Sequence, residues 1–461
     1  MKRYIIGLMA AGLFLQSCAG KLEVKPYDSL VDGEALGTFD QVSVALNGVY
    51  DGLQSTSYYG RNYWVMTEVN GDNVYIARSN SNRFLSSFRH DYTTQDGDVE
   101  SFWKAAYQGI LRANRVIDAI DKVQAAQADK DLTKGQALVL RALMHFDLVN
   151  VYARPYAQGG GSQLGVPIKL KFEDTYPTRN TVKEVYDQVI LDLTTARNLL
   201  KNADPTDIYH VNANTATALL ARVYLQKGDK ANAALEAAKV ISGGAYSLVP
   251  SNANFYNNPG SVEEIFTLRF MDSESTGSDN IGQMYQKPGY GDVRVSSDLY
   301  STFDPADSRL VYFGKLAAET TNQKFTGQGG KAGATSPKLL RLAEMYLIHA
   351  EAVSATDPNT AVGDLNTIRQ NRGLQPLAAV APTAVLDSVL AESRREFMFE
   401  GHRYFDLLRN GKGVNRNMCG STLEIVAPCT IAPDAYNLIW PIPQAEKNVN
   451  PGIQQNDGYG K

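Results

Sequence analysis

Apolar residues recur at helical spacing over much of the chain, and the clearest case lies between residues 212 and 242. One helix face in the first half of this stretch collects Ala218, Leu219, Ala221 and Tyr224. The tripeptide Lys227-Gly228-Asp229 then predicts a tight turn. A second helix with a small-residue face follows, carrying Ala231, Ala234, Ala237, Ala238 and Val240. The pattern predicts two antiparallel helices that approach each other closely.

This helix pair resembles a tetratricopeptide unit, with a tyrosine, a glycine turn four residues later and Ala233 five residues after that. A second copy is predicted over 336–372, with a first helix carrying Leu339, Leu342, Ala343, Tyr346, Leu347 and Ala350. Gly373 ends its second helix. Further helices are predicted at 101–123, 134–152, 182–200 and 383–399. The predicted fold class is mostly α, a tetratricopeptide-like helical-repeat scaffold with repeats over about 101–243 and 336–409.

Two long stretches do not follow the helical pattern. Residues 58–88 are rich in Asn, Ser, Gly and aromatic residues, and residues 272–333 are rich in Gly, Ser and Thr with tyrosines between them. Each stretch is too long for a plain connection between helices. We expect both to be irregular loop insertions that carry ligand-binding residues, because binding usually resides on long segments held by a rigid scaffold.

The N-terminal segment has the pattern of a secretory signal peptide over residues 1–17. A basic start precedes an apolar run that is too short to cross a bilayer. Cys18 directly follows the small residue Ser17, as in a bacterial lipobox, although Gln16 is unusual there. We expect lipidation of Cys18, a tether over 18–27 and a single soluble domain over 28–461. The alternative is an ordinary signal peptide in which Cys18 is incidental.

Charge and composition narrow the functional class. The formal net charge is -4, and it becomes -6 once Lys2 and Arg3 leave with the signal peptide. This balance argues against a general nucleic-acid binder, which needs a basic face for phosphate contacts. The chain contains 25 tyrosines, whose rings with polar edges suit a surface that stacks on sugars or peptides. Most of these tyrosines are nevertheless expected in the core or in interfaces.

Cysteines and histidines give no sign of a metal or cofactor site. Cys419 and Cys429 are close in sequence, and in an exported protein such a pair predicts a disulfide. Metal binding by the pair is disfavoured, because no histidine lies nearby. The five histidines also lack ligand spacing. We therefore expect no metal and no cofactor.

A run of charged residues near the C-terminus is the main catalytic alternative. Three- and four-residue spacing predicts one helix face that carries Glu396, Glu400, Arg403, Asp406 and Arg409. Carboxylates in a cluster can perform acid-base hydrolysis. The arginines between them favour an ion-pair network instead, because they hold the acids ionised. The chain has no nucleophile elbow, zinc-protease motif or phosphate loop.

A series of short motifs runs in order along nearly the whole mature chain. It includes Ala113-Asn114-Arg115, Arg141-Ala142-Leu143, Ala221-Arg222-Val223-Tyr224-Leu225, Arg341-Leu342-Ala343-Glu344, Arg394-Arg395-Glu396, Phe399-Glu400-Gly401 and Trp440-Pro441-Ile442-Pro443. In this order, behind a lipobox, the motifs resemble the SusD/RagB family of nutrient-binding outer-membrane lipoproteins. Two features depart from that pattern, since only Glu23 is acidic just after Cys18 and the chain is short for the family.

The resemblance implies a lipid-anchored protein of the outer membrane that faces the cell exterior. Such a protein captures an oligosaccharide and passes it to a SusC-like TonB-dependent transporter beneath it, without breaking bonds. The nearest alternative is the same fold with a peptide ligand. A surface-anchored glycoside hydrolase and a pure protein-interaction scaffold are the alternatives of another class.

The binding candidates lie in the two predicted loop insertions, where aromatic faces can stack on sugar rings and polar side chains can read hydroxyl groups. They are Tyr63, Trp64, Asn70, Asp72, Asn73, Arg78, Phe84, Tyr285 and Tyr290. For Trp64 the alternative is a plug in the core, because a tryptophan is rarely left fully exposed. Trp103, which belongs to the same early helix motif as Ala113-Asn114-Arg115, and Trp440 are expected in the core.

Overall fold

The computed structural model describes residues 36–251, 254–417 and 419–460, and its elements are mostly helices. The predicted signal peptide 1–17, the lipidation residue Cys18 and the tether 18–27 lie outside the described residues. Within the described ranges, no helix has the length and apolar character needed to cross a membrane.

The elements are numbered in chain order. The helices are α1 (Phe39–Gln54), α2 (Asn62–Val69), α3 (Leu85–Arg89), α4 (Gly97–Ile120), α5 (Gln127–Tyr152), α6 (Val182–Leu199), α7 (Ala213–Lys227), α8 (Lys230–Ser242), α9 (Ser297–Ser301), α10 (Leu342–Val353), α11 (Pro358–Asn371), α12 (Val385–Glu396), α13 (Arg403–Arg409) and α14 (Gln444–Val449). The strands are β1 (Val74–Ile76), β2 (Glu264–Thr267), β3 (Val293–Val295), β4 (Phe313–Leu316), β5 (Glu319–Asn322), β6 (Lys338–Arg341), β7 (Val414–Asn415) and β8 (Thr430–Ile431).

Local capping explains where the predicted helices begin and end. α4 starts four residues earlier than predicted, because the Asp96 carboxylate accepts hydrogen bonds from the backbone N–H groups of Asp98 and Val99. The predicted pair α7 and α8 is confirmed. The Asn212 side chain caps α7, and Gly228 ends it with a φ of +82° that favours glycine.

The long helices pack on their neighbours in chain order. α4 packs on α5, α5 on α6, α6 on α7 and α7 on α8, and α10 then joins α8 to α11 and α12. This order is consistent with stacked tetratricopeptide-like units. Helix α1 was not predicted. It packs on α4 and α5 through Val42, Leu46, Val49 and Leu53, whose spacing is a clear helical signal.

The predicted helix over the start of 336–372 is wrong at its beginning. Residues Lys338–Arg341 form strand β6, which pairs antiparallel with β2, and α10 begins only at Leu342. All four strand residues are buried, and the Lys338 ammonium lies 2.6 Å from the Glu264 carboxylate of β2. A short strand that is buried on both faces has no alternation of apolar and polar residues. Its sequence is therefore equally compatible with a helix.

The two predicted loop insertions are largely ordered. Residues 58–88 contain α2, β1 and α3, and residues 272–333 contain β3, α9, β4 and β5. Strands from both stretches form one antiparallel sheet in the order β1-β3-β5-β4, with Val74 opposite Val295 and Ile76 opposite Val293. The two stretches therefore combine short helices and strands with irregular segments, and the strands hold those segments in place.

His145, on α5, should make the protein sensitive to acid. It is 1% exposed, with its Nδ1 3.1 Å from the Arg141 carbonyl, and its Nε2 accepts a 3.3 Å hydrogen bond from the Lys169 amide. These partners fit a neutral ring. Burial lowers the pKa of His145 to about 3, and the Arg141 guanidinium adds to this effect.

The unfolded chain therefore binds a proton that the folded chain excludes, so stability is lost as the pH falls below about 6.5. Between pH 6.5 and 4.5, we expect the free energy of unfolding of His145→Gln to fall by about 1.4 kcal/mol less per pH unit than that of the unmodified chain. Urea unfolding measures this difference. His210→Gln, at a ring that is 50% exposed, is the matched control. Equal pH dependence in His145→Gln and the unmodified chain would refute the assignment.

Candidate functional site

The predicted candidate Tyr63 belongs to a buried tyrosine cluster. The hydroxyls of Tyr58, Tyr59 and Tyr63 all donate to the carboxylate of Asp147 on α5, over 2.6, 2.7 and 3.0 Å. Burial raises the pKa of Asp147 to about 6, although these three hydroxyls stabilise its ionised form. The cluster joins α2 to the helical array. Tyr63 is 5% exposed and lines an internal cavity with Tyr59 and Trp64, so its expected place on a ligand-binding loop is corrected.

Trp64 also lies in the core, at 4% exposed. Its ring packs against Phe325, with the ring centroids 6.0 Å apart, and edge-on to Tyr59. The alternative role of Trp64 as a core plug is therefore the one observed. The chain after α12 passes directly over it, because a Cβ added at Gly401 would lie 3.5 Å from the indole and 2.5 Å from the Thr67 hydroxyl.

The polar candidates Asn70, Asp72 and Asn73 hold the scaffold together. The Asp72 carboxylate forms two hydrogen bonds with Arg403 of α13, at 2.7 and 2.8 Å. The Asn73 side chain donates to Glu68 and accepts from Arg394. Asn70 lies 2.6 Å from the Tyr92 hydroxyl. All three candidates are buried, and their polar groups face protein partners rather than solvent.

Phe84 and Tyr285 are buried as well, at 3% and 0% exposed. Arg61 lies over the Phe84 ring, with its guanidinium carbon 5.5 Å from the ring centroid. Tyr285 packs against Phe399 at a centroid distance of 5.6 Å. The placement of these aromatic residues on an exposed loop is therefore corrected, and seven of the nine candidates belong to the core.

The two remaining candidates, Arg78 and Tyr290, lie on one surface. Arg78 is exposed and Tyr290 is half-buried. Because β1 and β3 are antiparallel, the segment after β1 and the segment before β3 leave the sheet at the same end. The backbone N–H of Ala77 donates to the Asp292 carbonyl over 2.8 Å, which holds the two segments side by side.

A third segment, which was not predicted to bind ligand, completes this surface. The Arg78 amide donates to the Leu423 carbonyl and the Ile425 amide donates to the Ile76 carbonyl, so residues 423–425 pair along the free edge of β1. The predicted disulfide between Cys419 and Cys429 is confirmed and closes this segment into a loop. We call segments 77–83, 285–292, 416–417 and 419–428 together the three-loop surface.

An arginine-tyrosine stack forms the centre of the three-loop surface. The Arg83 guanidinium carbon lies 3.6 Å from the centroid of the Tyr290 ring, and Arg83 also donates to the Tyr290 hydroxyl over 2.6 Å. Ser81 is held by the buried Asp292 carboxylate, which accepts from its amide at 3.1 Å. Arg83 was missed by the sequence analysis, which placed the neighbouring Phe84 at the site instead.

The chemistry offered by the three-loop surface is that of recognition. The Arg83 guanidinium lies over one face of the Tyr290 ring, which also packs against the core, so the partly exposed pair presents a polar ring edge and a planar guanidinium. The side chains of Arg78, Asn80 and Asn82 lie on the same loop, where Asn80 and Asn82 are partly or fully exposed. Hydrogen-bond donors and acceptors around a flat ring are suited to reading the hydroxyl groups of a ring-shaped ligand.

The charged residues of the C-terminal motif do not share one helix face. α12 ends at Glu396, the chain turns through Phe399 at φ +69° and Gly401 at φ +75°, and α13 begins at Arg403. The predicted common helix is therefore wrong, because the turn separates the residues. The ion pairs themselves are present, but they reach other elements, as in Glu400 with Lys324 and Arg409 with Glu351.

Buried Arg341 lies at the centre of these ion pairs. Its guanidinium lies 3.1 Å from Glu263, 2.5 Å from Glu396 and 2.9 Å from Glu400. Burial alone would raise the pKa of Glu400, but Arg341 and Lys324 hold it at about 2. An acid held ionised in this way is a poor proton donor, so the arrangement favours a structural network.

The expected core tryptophans are confirmed, with Trp103 at 5% and Trp440 at 0% exposed. Within residues 36–251, 254–417 and 419–460, no group of three or more His, Cys, Asp or Glu side chains is placed to hold a metal ion.

Comparison with known proteins gives matches along the whole body of the chain. Residues 22–225 match a family model described as SusD-like, starch-binding associating with outer membrane, and residues 309–459 match a model described as the SusD family. The SusD-like protein P38 of Formosa agariphila is 26% identical over 96% of each chain. The starch-binding protein SusD of Bacteroides thetaiotaomicron is 27% identical over 42% of this chain and 33% of its own.

Solved structures show the same fold. A protein of Bacteroides vulgatus, provisionally named as sugar binding, is 30% identical with a TM-score of 0.84, covering 92% of this chain and 99% of its own. A SusD superfamily protein of Bacteroides thetaiotaomicron is 28% identical with a TM-score of 0.84, covering 91% of this chain and 99% of its own. The mostly helical fold class is therefore confirmed.

Proposed function

Because the chain belongs to the SusD/RagB family, we propose that it captures an oligosaccharide at the cell surface and delivers it to a partner TonB-dependent transporter. In this proposal Cys18 carries the lipid that anchors the protein in the outer membrane. The names of its relatives associate them with starch, with sugar binding and with the outer membrane.

The observation that carries the proposal is the Arg83–Tyr290 stack on the three-loop surface. Glycan capture needs a flat ring near the surface and polar groups around it, and this surface supplies both on a rigid support. Its rigidity comes from sheet pairing on both edges of β1 and from the Cys419–Cys429 disulfide. A preorganised surface loses little conformational entropy when a ligand binds.

Binding without bond breaking fits the carboxylates of this surface. Asp292 is 1% and Glu424 is 4% exposed, and each accepts a hydrogen bond from a backbone amide. Glycoside hydrolysis requires two carboxyl groups that flank the scissile bond and reach it. These two acids instead shape the loops, so the proposed role is capture followed by transfer.

The test is calorimetric titration of the full mature chain in detergent with a panel of neutral and acidic oligosaccharides and with mixed peptides. We expect saturable binding to at least one oligosaccharide and a loss of about tenfold or more in Tyr290→Ala, since stacking on one ring contributes about 1–1.5 kcal/mol. Tyr176→Ala, at a ring that is 64% exposed and outside the three-loop surface, is the matched control.

Each possible outcome bears on the proposal. Equal loss in Tyr290→Ala and Tyr176→Ala would reject the three-loop surface as the site. Binding of peptides alone would reject the oligosaccharide ligand in favour of a peptide-capturing protein of the same fold. Release of shortened sugars during the titration would reject a pure binding role.

A further inference from the structure

The exposed charges of the three-loop surface are all positive. Arg78 and Lys287 are exposed, and the Arg83 side chain is 33% exposed. The complete chain has a formal net charge of -4, so this surface differs in sign from the protein as a whole. A local positive field on a negative protein attracts anions only at that place.

The acids of the three loops themselves already have hydrogen-bond partners. Asp292 and Glu424, the acids inside the three loops, are buried and accept backbone hydrogen bonds. Asp279 lies 3.9 Å from Arg83, but its carboxylate forms a closer ion pair with Arg61. The positive charges of the surface are therefore not cancelled by their own loops.

Arg78 is the cation best placed to meet a ligand. Its backbone is fixed by the hydrogen bond to Leu423, whereas its side chain has no ion-pair partner among the described residues. The Arg83 guanidinium lies over the Tyr290 ring and donates to the hydroxyls of Tyr290 and Ser81, which fixes its position at the surface. A planar guanidinium pairs with carboxylate or sulfate oxygens through two parallel hydrogen bonds.

From these features we infer that the three-loop surface selects anionic oligosaccharides, whose sugar rings carry carboxylate or sulfate groups. This inference rests on the proposed function and specifies its ligand class. The Arg83–Tyr290 pair forms the centre of the binding surface, and Arg78, Arg83 and Lys287 pair with the anionic groups around it. Neutral oligosaccharides lack the anionic groups that would pair with these cations.

The experiment compares matched ligands that differ only in charge. Oligogalacturonate and its fully methyl-esterified form share one backbone, and a sulfated oligosaccharide with its desulfated form gives a second pair. We expect a charged member to bind at least tenfold more tightly than its neutral partner, with an affinity that falls as salt rises. The pair that responds distinguishes carboxylate from sulfate recognition.

Variants locate the effect on the surface. Arg78→Gln combined with Lys287→Gln should weaken binding of the charged ligand at least tenfold and leave thermal stability unchanged. Lys122→Gln, at an exposed lysine remote from the three loops, makes the same type of charge change and should have little effect. An equal loss with Lys122→Gln would overturn the inference.

The remaining outcomes separate this inference from the proposed function. If charged and neutral members bind equally and Tyr290→Ala weakens both, the protein captures oligosaccharides but the anionic preference is wrong. If neither pair and no neutral oligosaccharide of the panel binds, both the preference and the proposed function are rejected.

Discussion

Replacing Arg341 with methionine should lower the free energy of unfolding by about 3–5 kcal/mol, because it removes the cation that three buried carboxylates share, although Arg372 and Lys324 remain beside them. Arg341 is 1% exposed, and it contacts Glu263, Glu396 and Glu400, which are buried themselves. Desolvated acids that lose their partner must remain charged at high cost or take up a proton. Methionine keeps much of the side-chain volume, so the lost stability reflects the missing positive charge rather than a cavity.

Urea unfolding at neutral pH measures this loss. The control is Lys122→Met, which breaks the exposed pair between Lys122 and Asp118, whose side chains are 69% and 74% exposed. Exposed pairs add little to stability, so this variant should unfold close to the unmodified chain. A second reading comes from pH, since Arg341→Met should regain part of its stability in acid as Glu396 and Glu400 become protonated. Equal midpoints for the two variants would contradict the network.

Replacing Asp147 with leucine should destabilise the protein by at least about 3 kcal/mol, at about 1 kcal/mol or more for each buried hydroxyl left without an acceptor. The hydroxyls of Tyr58, Tyr59 and Tyr63 all depend on this one carboxylate, which is 2% exposed. Leucine has a similar shape, so packing changes little. The cluster joins α2 to α5, and its loss should therefore loosen the segment that leads to β1.

A double-mutant cycle distinguishes the free-energy cost of unsatisfied hydroxyls from a general loss of packing. Tyr58→Phe should cost about 1 kcal/mol in the unmodified chain, because it removes one hydrogen bond. In the Asp147→Leu background the same change should be neutral or stabilising, since it removes an orphaned hydroxyl. If Tyr58→Phe costs the same in both backgrounds, the three hydroxyls do not depend on Asp147.

The helical scaffold could be predicted because its signals are local. Periodic small and apolar residues, the cap at Asn212 and the glycine at 228 define α7 and α8 within thirty residues of sequence. β6 could not be predicted, because a four-residue strand buried on both faces has no period to detect. The break between α12 and α13 occurs where Phe399 and Gly401 have positive φ values, and the Gly401 backbone there lies against Trp64.

The residues of the candidate site were harder to predict from sequence than the helices of the scaffold. The sequence pointed to two stretches that contribute loops to the three-loop surface, but it did not distinguish Trp64, which is buried, from Tyr290, which reaches the surface. Aromatic and polar residues in a non-helical stretch have the same composition whether they pack inside or face a ligand. Their burial is decided by segments that lie far away in sequence.

Sequence was enough to predict an export signal, the mostly helical class, the disulfide between Cys419 and Cys429 and the resemblance to one family. The first three rest on residue patterns over short distances, and the resemblance rests on short motifs in a fixed order. Only the tertiary structure decided which side chains meet at the surface, because Arg83 and Tyr290 are 207 residues apart in the chain. Their contact exists because antiparallel β1 and β3 bring both loops to one end of a sheet, and pairing across such a distance leaves no local pattern.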